Sequence, residues 1–383
     1  MLPQFPVVAQ VLSLTNSIGI YIHVPFCIKK CNYCNFYSVS HTELIGSYVE
    51  KCIEEINRWG GLAARPVSSI YFGGGTPSLL SGKQFYDIVN AITKNFAVEV
   101  GVETTAEVNP TDNLSIILPD FKKSGCNRLS IGVQSGNDDE LELLGRRHKS
   151  NDAVLAVETA RNTGFDNISL DLMTSLPYSN EKTLENSLSF VLSLNPEHIS
   201  TYILKLEKGT FLHKTKDSYI FPDDDAAAEQ YLQVSDRLTG AGYEHYEISN
   251  FAKPGYESRH NSLYWQCGEY LGVGPAAHSY LDGKRFYYKD DLNLFLKKPE
   301  ITPDGVGGGK EEYIMLSLRL QKGISNSEFS NQYGAPLPSG IFEKARFFEK
   351  NRLCRVTCDN ISLTPTGMLV SNSIITEFIK ELI

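Results

Sequence analysis

Residues 27–34 read Cys27-Ile-Lys-Lys-Cys31-Asn-Tyr-Cys34, and Tyr21-Ile-His-Val-Pro-Phe26 leads into them. Three cysteines fall within eight residues, directly after an apolar run with strand character. A zinc site usually brings four ligands, in paired CxxC spacings. Here the spacing is CxxxCxxC, with no fourth Cys or His in the loop. Three thiolates can hold three irons of a 4Fe-4S cluster and leave the fourth iron open to a non-protein ligand. A zinc ion completed by a distant residue, or three unligated thiols, are the other readings of the spacing alone.

The rest of the chain sets the frame for that loop. It has 383 residues, 42% of them hydrophobic and 21% charged, which fits a large globular domain plus a small one. A net charge of −9 argues against a broad nucleic-acid-binding face. No apolar run approaches the roughly 20 residues that cross a bilayer, so stable membrane insertion is not expected. Residues 1–17 carry no Arg or Lys, unlike a signal or transit peptide, and the expected location is the cytoplasm. Cys52, Cys126, Cys267, Cys354 and Cys358 lack the spacing of a disulfide framework and read mostly as core thiols.

From 18 to 240, strand-like runs alternate with helical patterns. Strands are predicted at 18–24, 68–72, 101–108, 128–133, 167–173 and 198–204. Helices are predicted near 42–60, 82–96, 113–124, 151–163, 181–194 and 224–240. Six strand–helix units predict a parallel sheet covered by helices, open or barrel-like, with ligands gathered at the C-terminal strand ends. Residues 241–302 are aromatic-rich and read as irregular. Thr302-Pro-Asp-Gly-Val-Gly-Gly-Gly309 is a loop by composition. Residues 310–383 read as a small α+β unit of winged-helix type. Its stretch 343–352 mixes Glu with Lys and Arg, a solvated face rather than a phosphate track, so DNA binding is not expected.

CxxxCxxC just after a first strand resembles the radical S-adenosylmethionine superfamily. Further stretches, in order, are similar to its oxygen-independent coproporphyrinogen III oxidase-like group: YIHVPFC (21–27), FGGGTPSLL (72–80), AEVNP (106–110), LSIGVQS (129–135), LGRRH (144–148), LDLMTSLP (170–177), SNFAKPGYESRHNSLYW (249–265) and YLGVGPAAHS (270–279). The resemblance covers nearly the whole chain. It implies an α/β fold, a partial (β/α)6 barrel with a small C-terminal winged-helix-like module. It implies a 4Fe-4S cluster on Cys27, Cys31 and Cys34, with the amino and carboxylate groups of S-adenosylmethionine on the open iron. In the superfamily, an electron from the cluster cleaves the sulfonium to a 5′-deoxyadenosyl radical. Within the group, the dehydrogenases resemble CxxxCxxCxC, and the heme chaperones resemble CxxxCxxCxF with HNxxYW. Cys34-Asn35-Phe36 and His260-Asn-Ser-Leu-Tyr-Trp265 resemble the chaperones.

The resemblance implies further site residues. Gly74, Gly75 and Thr76 would border the methionine end, where glycines let backbone N–H and C=O groups approach a zwitterion. A plain tight turn is the other reading of three glycines. Glu107, Gln134, Arg146 and Asp171 lie at or beyond strand ends and supply the carboxylates and guanidinium that a cationic ligand with a carboxylate and a ribose needs. After Gln134 stands Ser-Gly, where the group commonly has an aromatic. Tyr21 and Tyr33 could shield the cluster or stack on adenine, or simply pack. His23 reads as a hydrogen-bonded core residue. His260 is the candidate axial ligand for heme, with Tyr264 and Trp265 beyond it; ordering its loop by hydrogen bonds is the other reading. His278 and Cys267 are the alternatives.

Two functions follow as expectations. One is a heme carrier, with a heme or porphyrin ligand, a heme-acceptor protein, an electron donor and a homodimer among its partners. The other is an enzyme, an oxidative decarboxylase turning coproporphyrinogen III into protoporphyrinogen IX.

Overall fold

The computed structural model describes residues 17–61 and 65–382; of the expected N-terminal segment 1–17, all but Ser17 lies outside the described residues. Six strands carry the fold: β1 (Ile18–Val24), β2 (Val67–Gly74), β3 (Val98–Val108), β4 (Arg128–Gln134), β5 (Ile168–Thr174) and β6 (His198–Ile203). They pair in parallel and in chain order, as strand–helix repeats that curl into a partial barrel do.

Period-two patterning explains the two faces. Ile18, Ile20 and Ile22 on β1, Ile70 and Phe72 on β2, and Leu129, Ile131 and Val133 on β4 face outward and are buried under helices. Phe72 meets Phe85 at 4.3 Å between ring centroids, and Phe85 stacks on Phe121 at 4.1 Å. Burying one such ring stabilises by roughly 1.5–3 kcal/mol. The alternate positions are largely polar and line the barrel: Tyr21, Ser69, Tyr71, Glu103, Glu107, Arg128, Ser130, Asp171 and His198. A core of this polarity is costly unless it is hydrogen-bonded.

Region 241–302 is more ordered than expected. β7 (Glu244–Glu247) and β8 (Asn250–Ala252) extend the sheet beyond β6, while β9 (Tyr270–Val273), β10 (His278–Leu281), β11 (Lys284–Tyr288) and β12 (Ile301–Val306) extend it beyond β1. Strands this short, set between turns, leave little periodicity to read. The loop expected at 302–309 is overturned over its first half, because β12 pairs antiparallel with β11. β12 is an edge strand, where Pro303 needs no donor on its outer side.

The helix Arg259–Trp265 enters the barrel interior. Its first backbone N–H groups, on Arg259 and His260, donate to the buried Glu103 carboxylate, each at 3.1 Å. The carboxylate meets the positive end of the helix. At the C-terminus, the helices Lys310–Ser317, Asn326–Tyr333 and Ser339–Lys350 precede a hairpin of β14 (Cys354–Val356) and β15 (Asn360–Leu363), closed by β13 (Ile324–Ser325). This winged-helix-like module has its own core around Tyr313, Phe329, Ile341 and Phe378, which Tyr231 and Cys267 join from the main domain.

Candidate functional site

At the C-terminal ends of β2 to β6 lies a cavity of about 370 Å³. That size suits a small organic ligand. Eleven of the thirteen residues singled out in the sequence line it: Cys27, Cys31, Tyr33, Cys34, Gly74, Gly75, Thr76, Glu107, Gln134, Arg146 and Asp171.

The cysteine loop is fixed from three sides. Cys27 N–H donates to Val39 O (3.0 Å), Asn32 N–H to Leu144 O (2.9 Å), and Leu212 N–H to Asn32 O (2.9 Å). The Thr76 hydroxyl donates to Cys27 Sγ and an Arg146 guanidinium N–H to Cys31 Sγ, both at 3.4 Å. A second Arg146 N–H donates to Gly132 O at 2.7 Å, which holds the guanidinium at the sulfur. Burial pushes the Cys34 thiol up.

The glycine turn departs from expectation in one respect. Gly75 N–H and Thr76 N–H donate to Val24 O and Phe26 O, at 2.9 and 2.8 Å, so these two amides brace the strand that leads into Cys27. A Cβ on Gly75 would stand 2.6 Å from both carbonyls, and Gly74 has φ +102° with the His23 ring 2.5 Å from where its Cβ would be. His23 is buried, as expected; its Nε2 bonds Tyr37 O at 3.0 Å, and burial lowers it to about 4, so it stays neutral.

Glu107 and Asp171 form the charged floor. Burial, then repulsion from Asp171, raises Glu107 from 4.5 to about 7, although Tyr71 donates to it at 2.9 Å. Burial raises Asp171 from 3.8 to about 6, against hydrogen bonds from Ser200 and Ser130, the latter at 3.1 Å. Carboxylates held above their usual range by burial, facing a cavity and joined to no ion pair among the described residues, are set to gain from a cationic ligand. Gln134 takes φ +70° at a register shift between β4 and β5, a strained conformation for a non-glycine residue. The Ser-Gly that follows it has a packing reason, since a Cβ on Gly136 would meet Phe190 at 2.8 Å.

Two expected residues lie elsewhere. Tyr21 sits inside the barrel, stacked on Tyr71 with its hydroxyl on His23 Nδ1 (3.1 Å), because its inward position precedes the strand end by three residues. His260 is 1% exposed. Its Nδ1 bonds the Ser69 hydroxyl (2.9 Å), its Nε2 the Tyr264 hydroxyl (2.6 Å), and its ring stacks on Tyr71. With both nitrogens engaged and the ring enclosed, His260 is not placed to take an axial position on heme iron; it orders the barrel interior. Of the alternatives, Cys267 is a buried core thiol pushed up to about 12, and His278 is exposed against Tyr287. Ser130, Asn109, Met173 and Tyr202 also line the cavity and were not anticipated. Ser130 and Tyr202 were readable as inward positions of β4 and β6.

The radical SAM superfamily model matches residues 21–191, and the model of the HemN C-terminal domain matches 311–370. The heme chaperone HemW of Bacillus subtilis (strain 168) is 35% identical over 380 residues, spanning 94% of this chain and 99% of that one. The heme chaperone HemW of Lactococcus lactis subsp. lactis (strain IL1403) is 32% identical, with 94% and 97% covered. The chain belongs to the heme chaperone HemW family. Its fold is also that of coproporphyrinogen III oxidase from Escherichia coli, with a TM-score of 0.81 at 22% identity, covering 94% of this chain and 90% of the other. Membership of the radical SAM superfamily implies a 4Fe-4S cluster and S-adenosylmethionine.

The residues of the cavity fit both groups. Among the described residues, no three His, Cys, Asp or Glu side chains are grouped as ligands of one metal ion would be. A 4Fe-4S cluster places each thiolate on a different iron, so its ligands need no common centre. Thr76 and Arg146 supply the hydrogen bonds that stabilise thiolate charge, and the two carboxylates, each raised by burial, suit a cation.

Proposed function

We propose that this protein is a heme chaperone of the cytoplasm that binds a 4Fe-4S cluster, S-adenosylmethionine and heme, and passes heme to an acceptor protein. The observation that carries the reading is full-length likeness to heme chaperones on a chain whose strand-end cavity has Phe36, and no fourth cysteine, at its rim. Cys27, Cys31 and Cys34 would hold the cluster. Gly74, Gly75 and Thr76 would border the cofactor's methionine end, and Glu107 and Asp171 would take its ammonium group or ribose hydroxyls. Arg146, bound to Cys31, would damp charge on the cluster, while Tyr33 and Gln134 complete the walls. When both groups are bound they supply one-electron reduction of a sulfonium. This chain's residues would orient the ligand and hydrogen-bond the thiolates of Cys27 and Cys31. The cytoplasm is supported by eight free cysteines, which a reducing compartment would preserve. No helix of the described residues is long and apolar enough to cross a membrane.

The enzyme reading draws on the fold shared with coproporphyrinogen III oxidase. One experiment separates the two. The reconstituted chain is incubated without oxygen with reductant, S-adenosylmethionine and coproporphyrinogen III, and heme is titrated in parallel. Saturable heme binding without porphyrin turnover supports the chaperone; decarboxylation without heme binding supports the enzyme.

A further inference from the structure

With His260 enclosed, the heme reading needs a ligand that the sequence did not single out. The chain has eight histidines. Five have buried rings tied to protein partners: His23, His148, His198, His245 and His260. His41 is exposed, but its Nδ1 bonds the Glu43 carboxylate at 2.9 Å. His278 lies flat on Tyr287 and faces Asp304 at 3.8 Å, a carboxylate that would repel the acidic edge of a heme. His213 remains. It is half-buried on the short helix Phe211–Lys214, and its ring has no hydrogen-bond or ionic partner among the described residues.

The surroundings of His213 match the rest of the ligand. Heme is a flat apolar ring with two carboxylates on one edge. The segment 202–221 leaves the cavity at Tyr202 and packs beside the cysteine loop. Its underside, including Leu204, Leu212 and Tyr219, packs on Leu144, Met173 and Tyr33. Leu212 N–H holds it to the cysteine loop, and Tyr178 N–H donates to Ile220 O at 2.7 Å. Its outer side exposes Ile203, Phe211 and Ile220, with Tyr178 beside them; Ile220 is 72% exposed. Monomeric proteins seldom leave so many large apolar side chains open on one rim without a ligand for them. Charge agrees. The segment carries Lys205, Lys208, Lys214 and Lys216 against Glu207 and Asp217, in a chain of net charge −9. Among the described residues, Lys205 alone of these has an acidic partner, Glu207 at 3.0 Å.

We propose that heme is held on this rim, with His213 as the axial ligand to its iron and the segment's lysines meeting its carboxylates. The proposal rests on the heme reading above. It places the cargo outside the barrel, beside the cluster cavity and open to an acceptor protein. A single imidazole on an exposed segment also lets cargo leave.

The test is a heme titration of the full cluster-loaded chain, read as a difference spectrum in the Soret region. His213→Ala should shift the band and weaken binding by about tenfold or more, with added imidazole restoring the band position. His278→Ala should bind as wild type does. The pair Lys208→Glu and Lys214→Glu should weaken heme, and leave unchanged the affinity for heme dimethyl ester, whose carboxylates are masked. If His213→Ala keeps the wild-type band and affinity while wild type binds saturably, the assignment is overturned and the chaperone reading stands. If wild type shows no saturable binding, the chaperone reading itself falls.

Discussion

Replacing Glu107 with glutamine should stabilise the cofactor-free chain at neutral to alkaline pH and leave it unchanged in acid. The carboxyl is raised from 4.5 to about 7 by burial and by Asp171. A carboxyl whose pKa is raised on folding binds its proton more tightly in the native state. Its contribution to stability is therefore fully present below about pH 4.5 and is lost as pH rises towards 7, where the charged form must be kept in the cavity. A rise from 4.5 to about 7 corresponds to about 3 kcal/mol. Glu107 retains some solvent contact, which trims this to roughly 1–3 kcal/mol. Glutamine keeps the acceptor for the Tyr71 hydroxyl and carries no charge. The assay is denaturant unfolding of wild type and Glu107→Gln near pH 4 and near pH 8, compared as differences between the two proteins. The gain should appear only at the higher pH. Equal effects at both pH values, or destabilisation near pH 8, would refute the electrostatic origin and leave Glu107 a packing residue.

The same carboxylates should make S-adenosylmethionine affinity rise with pH from about 5 to 8, since a cation favours the charged forms. Glu107→Gln with Asp171→Asn should flatten that profile in a binding titration and weaken binding near pH 8 by roughly 10- to 150-fold. Iron content tests the cysteines: Cys27, Cys31 and Cys34 changed together to Ala should abolish an expected load of about four irons per chain, while Cys354→Ala and Cys358→Ala keep it. Gly74→Ala should lower the thermal midpoint, because φ +102° strains any other residue and the new Cβ overlaps the His23 ring. Removing that ring with His23→Ala in the same chain should recover part of the loss if the clash, rather than the dihedral, dominates.

The barrel was legible because its strands repeat one rule. Alternation on β1, β4 and β5 puts Ile, Leu and Val outward, and the amphipathic helices between them have one face to cover. The helix expected at 82–96 is Gly82–Asn95, and that at 224–240 is Asp224–Gly240. β8 and β13 hold 3 and 2 residues, too few for a period to show. β12 contains Pro and Gly, which read as a turn, and becomes a strand only because β11 offers an edge to pair with. Local propensity gave way to tertiary pairing there.

The cavity was legible for a related reason, and the surroundings of His260 were not. Strand ends converge in a parallel barrel, so residues from β2, β3, β4 and β5 that are distant in sequence had to meet, whatever the packing between them. His260 obeys no such rule. Its neighbours Tyr264 and Trp265 make it look like a heme pocket in one dimension, yet the helix they share is drawn into the barrel by Glu103, where Ser69 and Tyr264 take both ring nitrogens. The energetics favour that outcome. A polar barrel interior needs every donor and acceptor matched, and an imidazole between two hydroxyls satisfies three groups at once. Pulling His260 out to bind iron would leave Ser69, Tyr264 and Glu103 without these partners inside the fold, a loss of about 1–3 kcal/mol for each buried group. A carrier that must load and unload repeatedly would incur that cost in every cycle, whereas a histidine on the rim incurs none of it.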